Sequence, residues 1–215
     1  MTTLDSQSQA SLSEIRSEKA QAVLQGALQV FMVQGYAAAS MDRIAAAAGV
    51  SKSTLYSHFQ DKEGLFLALI QELTFSSRQG VFALLSQSDV EAAPEQVLRQ
   101  IATLMLNNFD KNKPLLTLMR LVIGESERFP QVAKTFVQEI KKPLLEQLSL
   151  YLSSQTQLNL PDPIVAARIF AGSLVHYLIT QNVLHGDEVM PIERDRMIDG
   201  LIQLITARKQ SDQSD

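Results

Sequence analysis

The sequence predicts an all-α protein of about nine helices, and three observations carry that reading. Apolar residues recur every three to four positions along most of the 215-residue chain, the spacing that lines one face of an α-helix. The gaps between these stretches hold helix punctuation: Ser40 and Ser51 stand where caps are needed, Gly35 and Gly49 where helices stop, and Pro94, Pro114 and Pro130 at first turns. No alternating strand pattern and no hairpin turn appears anywhere in the chain.

Length and composition set the outer bounds. With 46% hydrophobic residues, the chain suits a small domain of about 60 residues and a larger one of about 140, with enough apolar content for a real core. We place them at 14–66 and 67–215, after an arm at 1–13 that is rich in Gln, Ser and Thr. That arm lacks the basic start and apolar stretch of a secretory signal and is expected to be disordered. Cysteine is absent, which excludes disulfides, thiolate nucleophiles and Cys-based metal sites and fits a reducing, cytoplasmic setting.

Taken in order, the first helix is expected over 17–34, with Leu24, Ala27 and Phe31 at core spacing and Gly35 at its stop. Ser40 caps the second, where the alanines after Ile44 let another helix approach closely, and Gly49 supplies the φ > 0 residue that ends it. Ser51 caps the third, whose large apolar residues are Leu55 and Phe59. A long helix runs from Lys62 past Phe66, Leu69 and Phe75 to about Leu85, followed by a loop at 86–93. Further helices are expected at 94–108, 114–123, 130–154, 162–184 and 192–209, with Pro143 kinking or splitting the third of these. The near-apolar run at 164–179 is short for a membrane span and carries Arg168 and His176, so we expect a buried helix of a bundle and no membrane partner.

Residues 40–66 thus form two short helices joined by a glycine turn, then the start of a third, which is the layout of a helix-turn-helix reader of DNA. With Leu55 at zero on a helical wheel, Phe59 falls at ~40°, Tyr56 at ~100°, Ser53 at ~160°, Ser57 at ~200° and Thr54 at ~260°. The buried stripe is therefore Leu55 and Phe59, and the opposite face carries hydroxyls. Small hydroxyl residues let a helix sink into the major groove, and the Tyr56 phenol is long enough to reach the sugar-phosphate wall. Lys52 sits at the helix start, His58 lies to one side, and Lys62 stands where its ammonium and a helix N-terminus could grip one phosphate. Taken singly, a Ser-x-Ser-Thr cluster is a solvated cap and a lone Tyr or His a packed amphipath. The conjunction of cap, turn, stripe, hydroxyl face and downstream lysine favours DNA binding.

Charge cuts the other way. The chain has net charge −4, and residues 1–66 hold Arg16, Lys19, Arg43, Lys52 and Lys62 against Asp5, Glu14, Glu18, Asp42, Asp61 and Glu63. A broad basic patch is absent, so few phosphates are neutralised by cations and a shallow salt dependence of DNA affinity is expected.

The stretch from Ala48 to Glu63, Ala-Gly-Val-Ser-Lys-Ser-Thr-Leu-Tyr-Ser-His-Phe-Gln-Asp-Lys-Glu, resembles the most specific segment of the TetR-type transcriptional regulators. The resemblance implies that Lys52, Ser53 and Ser57 face bases, that Ser40, Thr54, Tyr56, His58 and Lys62 hold phosphates, and that Ile44, Val50, Leu55 and Phe59 are core. Ser53 stands where many members have glycine, which removes the closest backbone approach. Gly64 stands where an acidic residue commonly closes the cap of the fourth helix. More weakly, the segment from Leu118 to Pro130 is similar to one in the AefR-like subset of that family, whose larger domain senses a ligand and pairs two chains.

Within the larger domain, Phe75, Phe82, Met105, Phe109, Met119 and Tyr177 are candidates for an adaptable apolar pocket, with Asn108, Glu125, His176 and Gln181 as polar groups to orient a ligand. Ordinary core packing is the alternative for each. Pairing is expected through Ile164, Phe170, Leu174 and Leu178 on one helix and Met197, Ile198, Leu201, Ile202 and Ile205 on the next, stripes wider than one chain's core needs. The resemblance implies that these helices meet their copies in a four-helix bundle, so that a homodimer reads a palindromic operator and a small effector releases it.

An enzyme is not expected. The histidines at 176 and 185 miss helical ligand spacing, and no phosphate-binding glycine loop, nucleophile elbow or His-Glu-x-x-His occurs. No cofactor is implied. The remaining alternative is a helical adaptor or small-molecule carrier that keeps the fold without sequence-specific DNA binding.

Overall fold

The computed structural model describes residues 18–86, 93–111 and 113–207. The expected arm at 1–13, the start of the first helix at residue 17, most of the loop at 86–93 and the last two residues of the expected final helix lie outside them. Every regular element among the described residues is helical: α1 Glu18–Ala38, α2 Met41–Ala47, α3 Lys52–His58, α4 Lys62–Ser86, α5 Pro94–Lys111, α6 Lys113–Gly124, α7 Pro130–Phe136, α8 Lys142–Ser154, α9 Pro163–Leu178 and α10 Arg194–Thr206. Two π-turns, Val137–Lys141 and Ile179–Val183, interrupt the sequence of helices.

The punctuation behaves as its chemistry requires. Gly35 takes φ 74, outside the helical region, and breaks α1 there. The Ser40 hydroxyl accepts the Arg43 N–H, and the Ser51 hydroxyl accepts the Thr54 N–H, each closing a free donor of a helix start. Gly49 takes φ 65 between α2 and α3. At the head of α4 the Asp61 carboxylate accepts the Gly64 N–H at 2.8 Å, so aspartate caps this helix although Gly64 has no side chain to help. Asp162 does the same for α9, accepting from Ile164 and Val165.

The helix expected over 130–154 is split, as Pro143 predicts, and the split takes the form of the π-turn between α7 and α8. Proline has no N–H to give to the carbonyl four residues back. That carbonyl belongs to Glu139, and it accepts instead from Arg78 Nη1 of α4 at 3.5 Å.

The contacts divide the chain into two compact units. The first holds the described residues up to Thr74 together with Thr117–Phe136, and the second holds those of Phe75–Leu116 and of Val137 onward. Helices α4 and α6 each contribute to both. In the first unit Phe31, Tyr36, Phe66 and Phe129 form a chain of rings at 5.0 to 5.8 Å between centroids, so the α6–α7 turn packs with α1 and α4. The second unit has its own core, built from Leu98, Ile101, Leu106, Leu148, Leu152, Phe170, Leu174, Ile198 and Ile202 among others.

One close approach was not evident in the sequence. A Cβ placed on Gly26 of α1 would lie 2.7 Å from the backbone nitrogen of Ala48, at the end of α2. Overpacking of this kind costs about 1–3 kcal/mol, whereas the helix-propensity gain from glycine to alanine is about 1. Because the clash is with backbone, which cannot swing aside, the upper end of that cost applies, and Gly26→Ala is expected to lower the unfolding free energy by up to about 2 kcal/mol, read from the urea midpoint. An unchanged or higher midpoint would show that α1 and α2 can move apart freely.

Candidate nucleic-acid interface

Behind α3, Leu55 is fully buried and Phe59 nearly so. In front, Lys52, Ser53, Tyr56, Ser57 and His58 are exposed and Thr54 is partly so, with 51% of the Tyr56 surface open. The helical wheel thus places these residues correctly, and nothing in the described chain covers them. Ser51 Oγ lies 2.8 Å from both Ser53 Oγ and Thr54 Oγ1, and Ser57 Oγ donates to the Thr54 carbonyl at 2.7 Å. The hydroxyls are pre-ordered by bonds within their own helix and its cap.

Lys52 Nζ sits 2.6 Å from the Asp42 carboxylate, and both side chains are exposed. A solvent-exposed pair of this kind is worth under about 1 kcal/mol, so the ammonium can exchange Asp42 for a phosphate or a base edge at small cost. Arg43 is a cation that sequence reasoning counted without placing. It is exposed, follows the Ser40 cap by three residues, and is held by Nη1 donating to Gln34 Oε1 at 2.6 Å. The signal was present, because a cap at Ser40 puts residue 43 on the same first turn as the cap.

Lys62, expected to grip a phosphate, is placed differently from the others: without DNA its ammonium turns to the chain's own carbonyls. Its ammonium donates to the carbonyls of Tyr36 at 2.7 Å and Ala39 at 3.0 Å, with Ala37 at 3.5 Å. It also stands 4.4 Å from the centre of the Tyr36 ring and 5.6 Å from that of Phe129. The carbonyls in question are those left without helical donors where α1 breaks at Gly35. Burial lowers the Lys62 pKa from its ordinary value, Glu125 opposes the fall and Arg128 adds to it. Its donors are consumed inside the unit. Burial, with Glu63 and Asp61 nearby, pushes the Tyr36 phenol up to about 12.

The candidate pocket residues are divided between the two units. Phe75, Phe82, Met105, Asn108, Phe109, Tyr177 and Gln181 belong to the second unit, whereas Met119 and Glu125 belong to the first, where Glu125 acts on Lys62. Met105, Phe109 and Tyr177 pack against the second core. Gln181 is buried with its amide donating to the Met190 carbonyl at 3.3 Å, which is a structural bond. His176 is exposed.

The expected pairing stripes are corrected as well. Phe170, Leu174, Leu178, Ile198, Leu201, Ile202 and Ile205 are all buried in the chain's own core, and Met197 is half-buried. Periodicity had found the inner face of each helix. The outer face of α9 is also apolar, with Ile164, Val165 and Ile169 exposed, Ile164 by 59%, whereas on α10 Leu204, 81% exposed, stands among the exposed Asp195, Arg196 and Gln203. For the same reason the run at 164–179 is not the fully buried helix expected. Pro163–Val183 is long and apolar enough to cross a membrane by length and composition, and most of it is not buried.

A short helix capped by serine, set off by a glycine turn, anchored by two apolar residues and polar on its open side is the reading element of a helix-turn-helix DNA-binding regulator. Residues 23–69 match the bacterial regulatory proteins of the tetR family, and residues 96–208 match the C-terminal domain of AefR-like transcriptional repressors. The chain belongs to the TetR family of transcriptional regulators. Among its relatives is the uncharacterized HTH-type transcriptional regulator YvkB of Bacillus subtilis, 24% identical over 82% of this chain and 89% of that protein. A solved TetR-family regulator from Mesorhizobium loti superposes with a TM-score of 0.69 at 24% identity, covering 88% of this chain and 97% of that one. The flavonoid-responsive regulator FrrA does so with a TM-score of 0.67 at 28% identity, covering 87% and 94%.

The placement of Lys62 separates two roles. Hydrogen bonds from a charged donor contribute about 1.5–3 kcal/mol, so Lys62→Met is expected to lower the urea midpoint of the DNA-free protein by an equivalent amount. A lysine whose task was to hold phosphate would leave that midpoint unchanged.

Proposed function

We propose that the protein is a dimeric repressor that occupies a palindromic operator and leaves it when a small, mostly apolar effector binds. The observation that carries the reading is the open polar face of α3, seated on Leu55 and Phe59. In this reading Lys52, Ser53 and Ser57 meet base edges, and Ser40, Thr54, Tyr56 and His58 meet phosphates, with Arg43 joining them. Residues 14–66 are the reader, 67–215 sense and pair, and the protein works in the cytoplasm. Few of these contacts are cationic, which keeps counterion release small and the salt dependence shallow.

One helix-turn-helix covers only a few base pairs, so two copies are needed about 34 Å apart, or a multiple of that, to read a palindrome. The exposed apolar face of α9, with Leu204 of α10, supports such pairing, because apolar surface in water favours association. Its occupant is a second copy, through Ile164, Val165, Ile169 and Leu204.

Helix α4 begins beside the reader and ends in the second unit, and α6 also belongs to both. An effector that favours the released state by about a hundredfold supplies about 3 kcal/mol of linkage, enough to empty an operator. FrrA is a flavonoid-responsive regulator, which supports ligand response in a protein of this fold.

Selection of bound sequences from a random oligonucleotide pool is expected to yield a palindrome. Tyr56→Ala is then expected to weaken binding at least tenfold in a fluorescence anisotropy titration, with thermal unfolding unchanged. Failure to enrich any sequence would leave the adaptor or carrier alternative standing. For pairing, Ile169→Glu on the exposed side of α9 should convert the sedimenting species to a monomer at micromolar concentration without loss of helical content. A monomeric parent protein would refute the dimer.

A further inference from the structure

In the second unit one cation is only partly satisfied. Arg78 lies on α4 with Phe75 three residues before it and Phe82 four after, a spacing that puts all three on one face of the helix. All three are partly buried. Two residues on, α4 comes close to α5: a Cβ on Gly80 would lie 2.5 Å from Leu104 Cδ2. Across from Arg78 is the π-turn at Val137–Lys141, whose Glu139 carbonyl takes the bond from Nη1. Single π-turns of this kind often mark functional sites, because they displace the regular bonding pattern of a helix.

The opposite edge of the guanidinium is open in the chemical sense. Nε is buried without an acceptor, and among the described residues Nη2 has none either. The Glu139 carboxylate is near enough to act on Arg78 electrostatically, but no ion pair within 4 Å forms between them among the described residues. Desolvation is the larger effect, and it lowers the Arg78 pKa from its ordinary value. A buried donor on a charged group is costly when left alone, more so than a neutral one. The Nε–Nη2 edge of arginine is the fork that matches the two oxygens of a carboxylate.

The geometry points to Arg78 as the counter-charge for a carboxylate on an otherwise apolar effector, received on the Nε–Nη2 edge between Phe75 and Phe82 of α4 and the 137–141 turn. The inference deepens the effector-binding part of the function proposed above and rests on it. It narrows the ligand class from mostly apolar molecules to monocarboxylic acids with an alkyl or aromatic body. The one bond the guanidinium makes among the described residues, from Nη1 to the Glu139 carbonyl at 3.5 Å, is at the weak limit for a hydrogen bond and holds the group only loosely against a competing acceptor.

The test uses the full-length protein with decanoate, 1-decanol and inorganic phosphate as probes in calorimetric titrations, alongside thermal unfolding without ligand. Decanoate is expected to bind, Arg78→Met to weaken it at least tenfold, and Arg78→Lys to recover part of the loss. 1-Decanol should bind parent and variants alike, and phosphate alone should bind none of them detectably. Without ligand, Arg78→Met should unfold at the same temperature as the parent or higher, because it removes a partly buried charge whose Nε has no acceptor. The proposal is overturned if the parent does not bind decanoate, if Arg78→Met binds it as tightly, or if 1-decanol weakens in step. It is equally overturned if Arg78→Met unfolds at a lower temperature or fails to fold, since Arg78 would then be structural. Operator binding by the parent, measured separately, decides the regulator reading, so the two can fail independently.

Discussion

Where α1 breaks at Gly35, the backbone turns back toward α2 and leaves the carbonyls of Tyr36, Ala37 and Ala39 without helical donors. The Lys62 ammonium closes that gap. Because it begins α4 while reaching the end of α1, it ties together the two helices that flank the reader. The same ammonium lies over Tyr36 and Phe129, so the α6–α7 turn joins the arrangement through rings as well as through charge. The Thr135 hydroxyl adds a bond to Glu63 Oε1 at 3.0 Å. The open face of α3 therefore depends on contacts made well outside α2 and α3.

Much of this was legible in the sequence where the signals are local. Caps at Ser40 and Ser51, the glycines at 35 and 49, and the Leu55/Phe59 stripe act over three or four residues, and the structure has each of them. The break at Pro143 was equally legible, although its form as a π-turn was not, because that depends on where the neighbouring carbonyls find donors. Long-range contacts left no trace. Nothing next to Lys62 in the chain tells a surface lysine from one that reaches carbonyls 23 to 26 residues away. In α9 and α10 periodicity failed for a different reason. Helix α9 is apolar on two faces, and spacing alone does not say which of them turns inward, while the single apolar stripe of α10 is used by the chain's own core. Met119 and Glu125 were grouped with the pocket, yet tertiary contacts place them in the reader's unit.

The second unit keeps polar groups in its interior that a purely structural core would do without. The Tyr151 hydroxyl is buried without a partner, and burial with Glu95 nearby pushes its pKa up to about 12. Arg78 shows a related incomplete satisfaction. Most buried polar groups in folded proteins find partners, so such exceptions lower stability for reasons other than packing. In the same unit, Met105, Phe109 and Tyr177 are partly buried against the core, and the Met105 thioether is a side chain that can rearrange. Thr74, the last residue of the first unit, donates its hydroxyl back to the Ile70 carbonyl at 2.8 Å, a bond that often bends a helix.

Neither compact unit is a continuous stretch of chain. The backbone passes between them within α4, within α6 and at the start of the 137–141 turn. The DNA-reading head is consequently not a portable module. Excised at residue 66, it would leave the Tyr36 ring without Phe129 and lose Thr135 from Glu63. Chimeras that graft one protein's reader onto another's sensor would keep their native seating only if residues 117–136 travelled with the head. By the same token, substitutions that alter operator choice in such a chain need not lie near its N-terminus.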